Sequence, residues 1–182
     1  MKNIFIIPAA ALLISLAACS DSKMEETKAQ AIEVLQTSID NTAAAGLRTT
    51  SVLPAFTVQD VNGNTINLQH FKGKKLFVNL WASWCPPCRA EMPSIEKLFR
   101  SVDTSKVVFV MLSLDDHFDK AKKFIGRQRL NLPIYYPAEN LPALFNVQAI
   151  PATFIFNESG DLIQRIDGSD DYNRDEYRKL LQ

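Results

Sequence analysis

Two cysteines, Cys85 and Cys88, stand in the spacing C-x-x-C, and they are the residues of this 182-residue chain best suited to chemistry. A third, Cys19, lies far upstream. A disulfide between Cys85 and Cys88 closes too small a loop to stabilise a fold much by chain entropy, because that effect grows with loop length. Reversible redox exchange is the stronger use of the pair. The cysteines follow an apolar run ending at Ala82 and open a helical stretch. At a helix N-terminus the macrodipole and free backbone N–H groups favour a thiolate. Cys85 comes first in the motif and is the expected attacking sulfur.

Other uses of the motif fit less well. Covalent c-type haem needs His after the second Cys, where this chain has Arg89. A structural zinc site needs about four protein ligands, and His70 and His117 are not at ligand-like spacings, so no metal is expected. A peroxidase of the peroxiredoxin type wants Thr at 82 and Pro at 78, and the chain has Ala82 and Val78. A thiol-holding module or copper chaperone, using the same two thiolates without turnover, is the rival from another class.

Length and composition bound the rest. One domain with tails fits 182 residues. Hydrophobic residues make up 47% and charged residues 22%, which supports a sizeable core. Lys plus Arg, 20, balances Asp plus Glu, 20, with no basic stripe, so nucleic acid is not an expected partner.

Residues 1–18 have a basic start at Lys2 and an apolar run interrupted by Pro8, too short for a comfortable membrane helix of about 20 residues. They read as a signal peptide. The following Leu16-Ala17-Ala18-Cys19-Ser20 resembles a bacterial lipobox, which makes Cys19 a lipid anchor. Only Cys85 and Cys88 are then left to pair, in a compartment that permits disulfides. Residues 19–51 read as an anchored spacer, with Ile32, Leu35 and Ile39 at helical spacing.

Residues 52–182 read as an alternating α/β domain. Ala55–Gln59 and Thr65–Leu68 flank Asn62-Gly63, a tight hairpin signal. Leu76–Ala82 and Val107–Leu112 are near-continuous apolar runs, as in strands covered on both faces, and Pro86–Ser101 is the helix between them, with a kink expected at Pro93. A helix over Phe118–Gln128, a strand over Leu132–Tyr136 and a helical turn over Leu141–Phe145 form an insert from Asp115 to Asn146 that adds surface near the cysteines. Thr153–Phe156 and Leu162–Ile166 read as a hairpin, and Tyr172–Leu181 as a closing helix. Trp81 is assigned to the core, His70 and His117 to surface or cap positions, and Asp170-Asp171 to a solvated turn.

WASWCPPCRAEMP, preceded by LFVNL and followed by AIPATFIF, resembles the TlpA/ResA/CcmG group of membrane-tethered, thioredoxin-like thiol-disulfide oxidoreductases over Leu53 to Leu181. The resemblance implies a thioredoxin-like fold, a central mixed sheet flanked by helices, with an N-terminal hairpin and a central insert. It makes Cys85 the nucleophile, Cys88 the resolving thiol, and Glu91, one turn further on, an acid/base that partial burial would tune towards neutrality. Pro151 becomes a cis-proline facing the cysteines, and Ile150 offers its backbone to a substrate strand. Trp84, Pro86 and Pro87 border the site. The two prolines remove backbone donors from Cys85, which points to a less acidic thiol and a reducing protein.

Asn79 stands where thioredoxin has a buried Asp, and backbone hydrogen bonds would satisfy it. The resemblance further implies protein thiols and disulfides as partners, apocytochrome c among those of the family, a membrane electron donor, no cofactor, and a place on the outer face of a bacterial membrane. A monomer is expected.

Overall fold

A computed structural model describes residues 52–182. The signal-peptide, Cys19-anchor and spacer readings lie outside the described residues. Seven strands, β1 (Thr57–Gln59), β2 (Thr65–Asn67), β3 (Lys75–Trp81), β4 (Val107–Ser113), β5 (Ile134–Pro137), β6 (Ala152–Phe156) and β7 (Leu162–Asp167), form one sheet in the order β2-β1-β5-β4-β3-β6-β7. Helices α1 (Pro86–Ser101), α2 (Phe118–Gln128) and α3 (Asp175–Leu181) complete it, with 3-10 turns at Leu68–Phe71 and Ala143–Phe145.

The centre of the sheet is parallel: β3 pairs with β4 from Lys75↔Val107 to Trp81↔Ser113, and β4 pairs with β5. β6 and β7 run antiparallel on one side, and the β1–β2 hairpin joins β5 antiparallel on the other. The insert therefore supplies the strand through which the N-terminal hairpin is attached.

Alternation along β3 explains the two layers of core. Phe77 and Trp81 point to a cluster shared with Met92, Ile95 and Leu98 of α1, Phe124 of α2 and Tyr177 and Leu181 of α3. Leu76, Val78 and Leu80 point to the opposite cluster, built with Phe56, Leu68, Phe145, Phe154 and Phe156. The α-helices thus cover one face, while the hairpin region and the 3-10 turns cover the other. Asn79 and its cross-strand partner Thr153 fall on the helix-covered face, a buried polar island among apolar neighbours.

Several expectations change. The hairpin does not turn on Asn62-Gly63 alone: the loop spans Asp60 to Asn64, only Gly63 has positive φ (+89°), and the Asp60 carboxylate accepts from the N–H groups of Asn62 and Asn64. A two-residue type I′ turn needs positive φ at both central positions. The closing helix starts at Asp175 rather than Tyr172. Asp171 and Asn173 give their N–H groups to the side chains of Asp170 and Asp171, and Tyr172 gives its own to Ser94 Oγ, bonds that compete with helix formation. β5 begins at Ile134, two residues later than expected, after Pro133, whose carbonyl accepts from Met111 N–H. α1 runs through Pro93 without interruption.

Candidate active site

The turn between β3 and α1 carries the cysteines, and a buried carboxylate holds it. Asp115, 3% exposed, accepts from Ser83 N–H at 3.1 Å, Ser83 Oγ at 2.7 Å and Ser113 Oγ at 2.9 Å. Leu114 N–H donates to Trp81 O at 2.7 Å, so the ends of β3 and β4 are tied together directly below the turn. In the sequence Asp115 marks only the start of the insert. A carboxylate flanked by Ser113 and facing Ser83 gave no local signal, because the contact joins positions 32 apart.

Cys85 is the N-cap of α1, and Pro86 and Pro87 take its first positions, where their missing N–H groups cost no helix bonds. The first backbone donor available to the sulfur is Cys88 N–H, 3.3 Å from Cys85 Sγ. Cys85 and Cys88 are joined in a disulfide, and both are buried. The Ile150–Pro151 peptide is cis, and the Ile150 carbonyl oxygen lies 3.7 Å from Cys85 Sγ. Trp84 is exposed and Trp81 fully buried. Trp84, Cys85, Pro86, Pro87 and Ile150 line a cleft of about 470 Å³, whose remaining wall comes from Leu114 and the segment Leu141–Ala149. The insert reaches the site through Leu141, Phe145 and Asn146; Val147 and Gln148, just beyond it, were not singled out from sequence.

Glu91 lies one turn beyond Cys88 on α1 and is 2% exposed. Asn79 Nδ2 donates to Glu91 Oε1 at 2.8 Å, and Asp170 N–H donates to Oε2 at 3.3 Å. Burial pushes the carboxyl up to about 7, against the opposing effect of those bonds. Asn79 is therefore held by side chains, not by the backbone bonds expected for it: its Nδ2 also donates to Thr153 Oγ1 at 2.9 Å, and Thr153 Oγ1 lies 2.6 Å from Tyr172 Oη. Ser94 Oγ donates to Glu91 O at 2.7 Å and accepts from Tyr172 N–H at 3.1 Å, fastening the segment before α3 to α1.

Asp170 is not the solvated turn residue expected from sequence. Its carboxylate is bound by Arg174 and by the Tyr177 hydroxyl, and its N–H serves Glu91. Thr153 was legible only as part of AIPATFIF, and Tyr172 carried no signal beyond an aromatic near a helix start. His70 and His117 are exposed, and among the described residues no group of three or more His, Cys, Asp or Glu is arranged to hold a metal.

A mixed sheet of this topology, with a C-x-x-C disulfide capping the helix after its central strand, defines a thioredoxin-like thiol-disulfide oxidoreductase. The Redoxin family profile matches residues 48–181, and the chain belongs to that family. Among relatives, the "Thioredoxin-like protein YneN" of Bacillus subtilis is 35% identical over 117 residues, 63% of this chain and 69% of the relative. The "Thiol-disulfide oxidoreductase ResA" of Bacillus thuringiensis is 31% identical over 130 residues, 70% and 75% of the two chains. Among solved structures, StoA from Bacillus subtilis superposes with a TM-score of 0.61 at 24% identity, covering 73% of this chain and all of the other. The thioredoxin domain of BVU-2223 from Bacteroides vulgatus gives 0.64 at 23% identity, covering 72% and 96%. The protein is a thiol-disulfide oxidoreductase.

Proposed function

We propose that the protein reduces disulfides of other proteins outside the bacterial cytoplasm, tethered to a membrane by lipid on Cys19. The observation that carries the reading is the site itself: a C-x-x-C pair beside an apolar cleft, with a buried carboxyl that titrates near neutrality one turn away. In the dithiol form, the Cys85 thiolate attacks one sulfur of a substrate disulfide, forming a mixed disulfide and expelling the first substrate thiolate, which takes a proton from solvent. Cys88 gives its proton to the Glu91 carboxylate and attacks Cys85 Sγ, and the second substrate thiolate leaves. Two electrons pass to the substrate, and the protein is left with the disulfide seen in the structure. A dithiol donor at the membrane must then return two electrons.

The Ile150 carbonyl, 3.7 Å from Cys85 Sγ, supports substrate binding at the Ile150 backbone, and the apolar cleft between Trp84, Pro86 and Pro87 and the Leu141–Gln148 segment supports docking of an unfolded or extended protein segment. Apocytochrome c suits that description. A single copy of the chain supplies every group the reaction uses, which suits a monomer.

The test is trapping. Cys88→Ala with the full chain should accumulate a mixed disulfide to a protein substrate through Cys85, and Cys85→Ala should accumulate none. Trapping through Cys88 instead would overturn the assignment.

A further inference from the structure

Glu91 is almost wholly buried, and the groups that face it come from several elements. Asn79 of β3 donates to one oxygen, with Thr153 of β6 behind it, and Cys88 lies one turn away on α1. Tyr172 keeps its proton, since burial and the nearby Glu91 charge hold its hydroxyl above the ordinary range. The remaining side belongs to the segment Gly168–Tyr172, where the Ser169 side chain hydrogen-bonds Glu91 and Asp170 N–H donates to Glu91 Oε2 at 3.3 Å. Of the groups named, Asp170 alone is charged. The segment is pinned on either side of it: Gly168 N–H donates to Pro151 O at 2.9 Å, and Tyr172 N–H to Ser94 Oγ at 3.1 Å. From this fixed place Asp170 acts on Glu91 in two opposed ways. Its N–H stabilises the Glu91 carboxylate, and its own carboxylate, one short side chain further out, disfavours a second negative charge. That charge is permanent near neutrality: against partial burial, bonds from the Tyr177 hydroxyl, Asp171 N–H and Arg174 keep the Asp170 carboxyl below its ordinary range.

Arg174 is a poor choice for its own local structure. It is the N-cap of α3, its side chain makes no capping bond, and a cation at that end opposes the helix dipole. Its side chain is instead spent on Asp170, and on Glu176 at 3.1 Å. The Arg174 side chain is 47% exposed and that of Asp170 28%, so the pair lies between solvent and the buried carboxyl. We propose that Asp170 and Arg174 are positioning residues that set the acidity of Glu91 as a pair, Asp170 opposing the carboxylate by its charge and Arg174 offsetting that charge from the surface. The group that exchanges a proton with Cys88 is thus adjusted by two residues outside the helix that carries the cysteines. Removing either member moves the Glu91 dissociation constant, and the two removals move it in opposite directions.

This rests on the reading of Glu91 as the group that takes the Cys88 proton, and the test reads Glu91 itself rather than turnover. The full chain, isotope-labelled and with its disulfide intact so that neither Cys85 nor Cys88 titrates, is followed by NMR at the Glu91 carboxyl carbon from about pH 5 to about pH 9, a range that spans the titration. Asp170→Asn keeps the backbone N–H and an oxygen for Tyr177, and should raise the Glu91 dissociation constant about threefold. Arg174→Ser, which places a good capping residue at the start of α3, should lower it about twofold. Arg174→Lys keeps the positive charge and should leave the constant near that of the parent.

The signs separate electrostatics from damage to the fold. A variant that merely loosens the segment lets water reach Glu91, relieves the penalty of burial and raises the dissociation constant, whichever residue was changed. A rise in both Asp170→Asn and Arg174→Ser, or no change in either, would overturn the proposal, as would an Arg174→Lys constant equal to that of Arg174→Ser. If the opposed shifts are found but the limb near neutrality in the rate of mixed-disulfide resolution does not move with them, the pair stands and the role of Glu91 in exchange falls.

Discussion

If Glu91 takes the Cys88 proton as proposed, its burial couples the reaction to pH near neutrality. Its carboxyl titrates at about 7 in the folded protein against an ordinary value of 4.5, so the folded chain keeps a proton that the unfolded chain releases between those values. Stability therefore falls as pH rises from about 4.5 to about 7 and stays lower above that. Glu91→Gln removes the charge and keeps the shape: it should be as stable as the parent at about pH 4 and more stable by up to about 3 kcal/mol at about pH 8, by urea unfolding of the oxidised form. An equal gap at both pH values would contradict the assignment. The same variant should slow resolution of a mixed disulfide by on the order of 10²-fold and remove the limb near pH 7 from its rate profile. Beside Cys85, Pro87→Ala supplies a backbone N–H at the helix start, favouring the thiolate and hence the reduced form. The reduction potential should rise by roughly 10 to 30 mV, measured against a glutathione buffer.

The elements that hold the site were legible where their signal was local. α1 and α2 keep the bounds read from sequence; Cys85 and two prolines mark the start of α1, and in the structure α2 ends at Arg129, which takes the left-handed conformation (φ 55°). β3 and β4 were recognisable as apolar runs buried on both faces. What escaped were side chains whose partners are distant in sequence. Asp115 and Ser83 meet across 32 positions, Asn79 and Thr153 across 74, and Asp170 and Glu91 across 79, and only the parallel β3–β4 and antiparallel β3–β6 pairings and the chain's return over α1 bring them together. The turn after β3 depends on one of these contacts. Asp115→Ala leaves the Ser83 N–H and two hydroxyls without their acceptor in a buried site, and should cost about 2 to 3 kcal/mol in denaturant unfolding. Asp115→Asn, which keeps one acceptor oxygen, should cost less; equal stability of Asp115→Ala and the parent would show that the turn is held by packing alone.

Across the whole molecule, the sheet divides labour between its faces. The helix-covered face carries the hydrogen-bonded side chains of Glu91, Asn79 and Thr153, while the segment Leu141–Gln148 brings apolar surface to the cleft beside Cys85. Chemistry and docking should therefore separate. Leu141→Asp and Val147→Asp should lower kcat/KM for a protein disulfide by about tenfold, as expected for loss of an apolar anchor, yet leave reaction with a small aromatic disulfide unchanged. Equal losses for both substrates would place the damage at the cysteines and not in the cleft. If Cys85 and Cys88 form a reversible couple that reduces, as proposed, the equilibrium reduction potential of the full chain should lie near or below about −250 mV, in the range of thioredoxin-type reductants; a value above about −180 mV, or failure to form a reversible disulfide at all, would refute that direction.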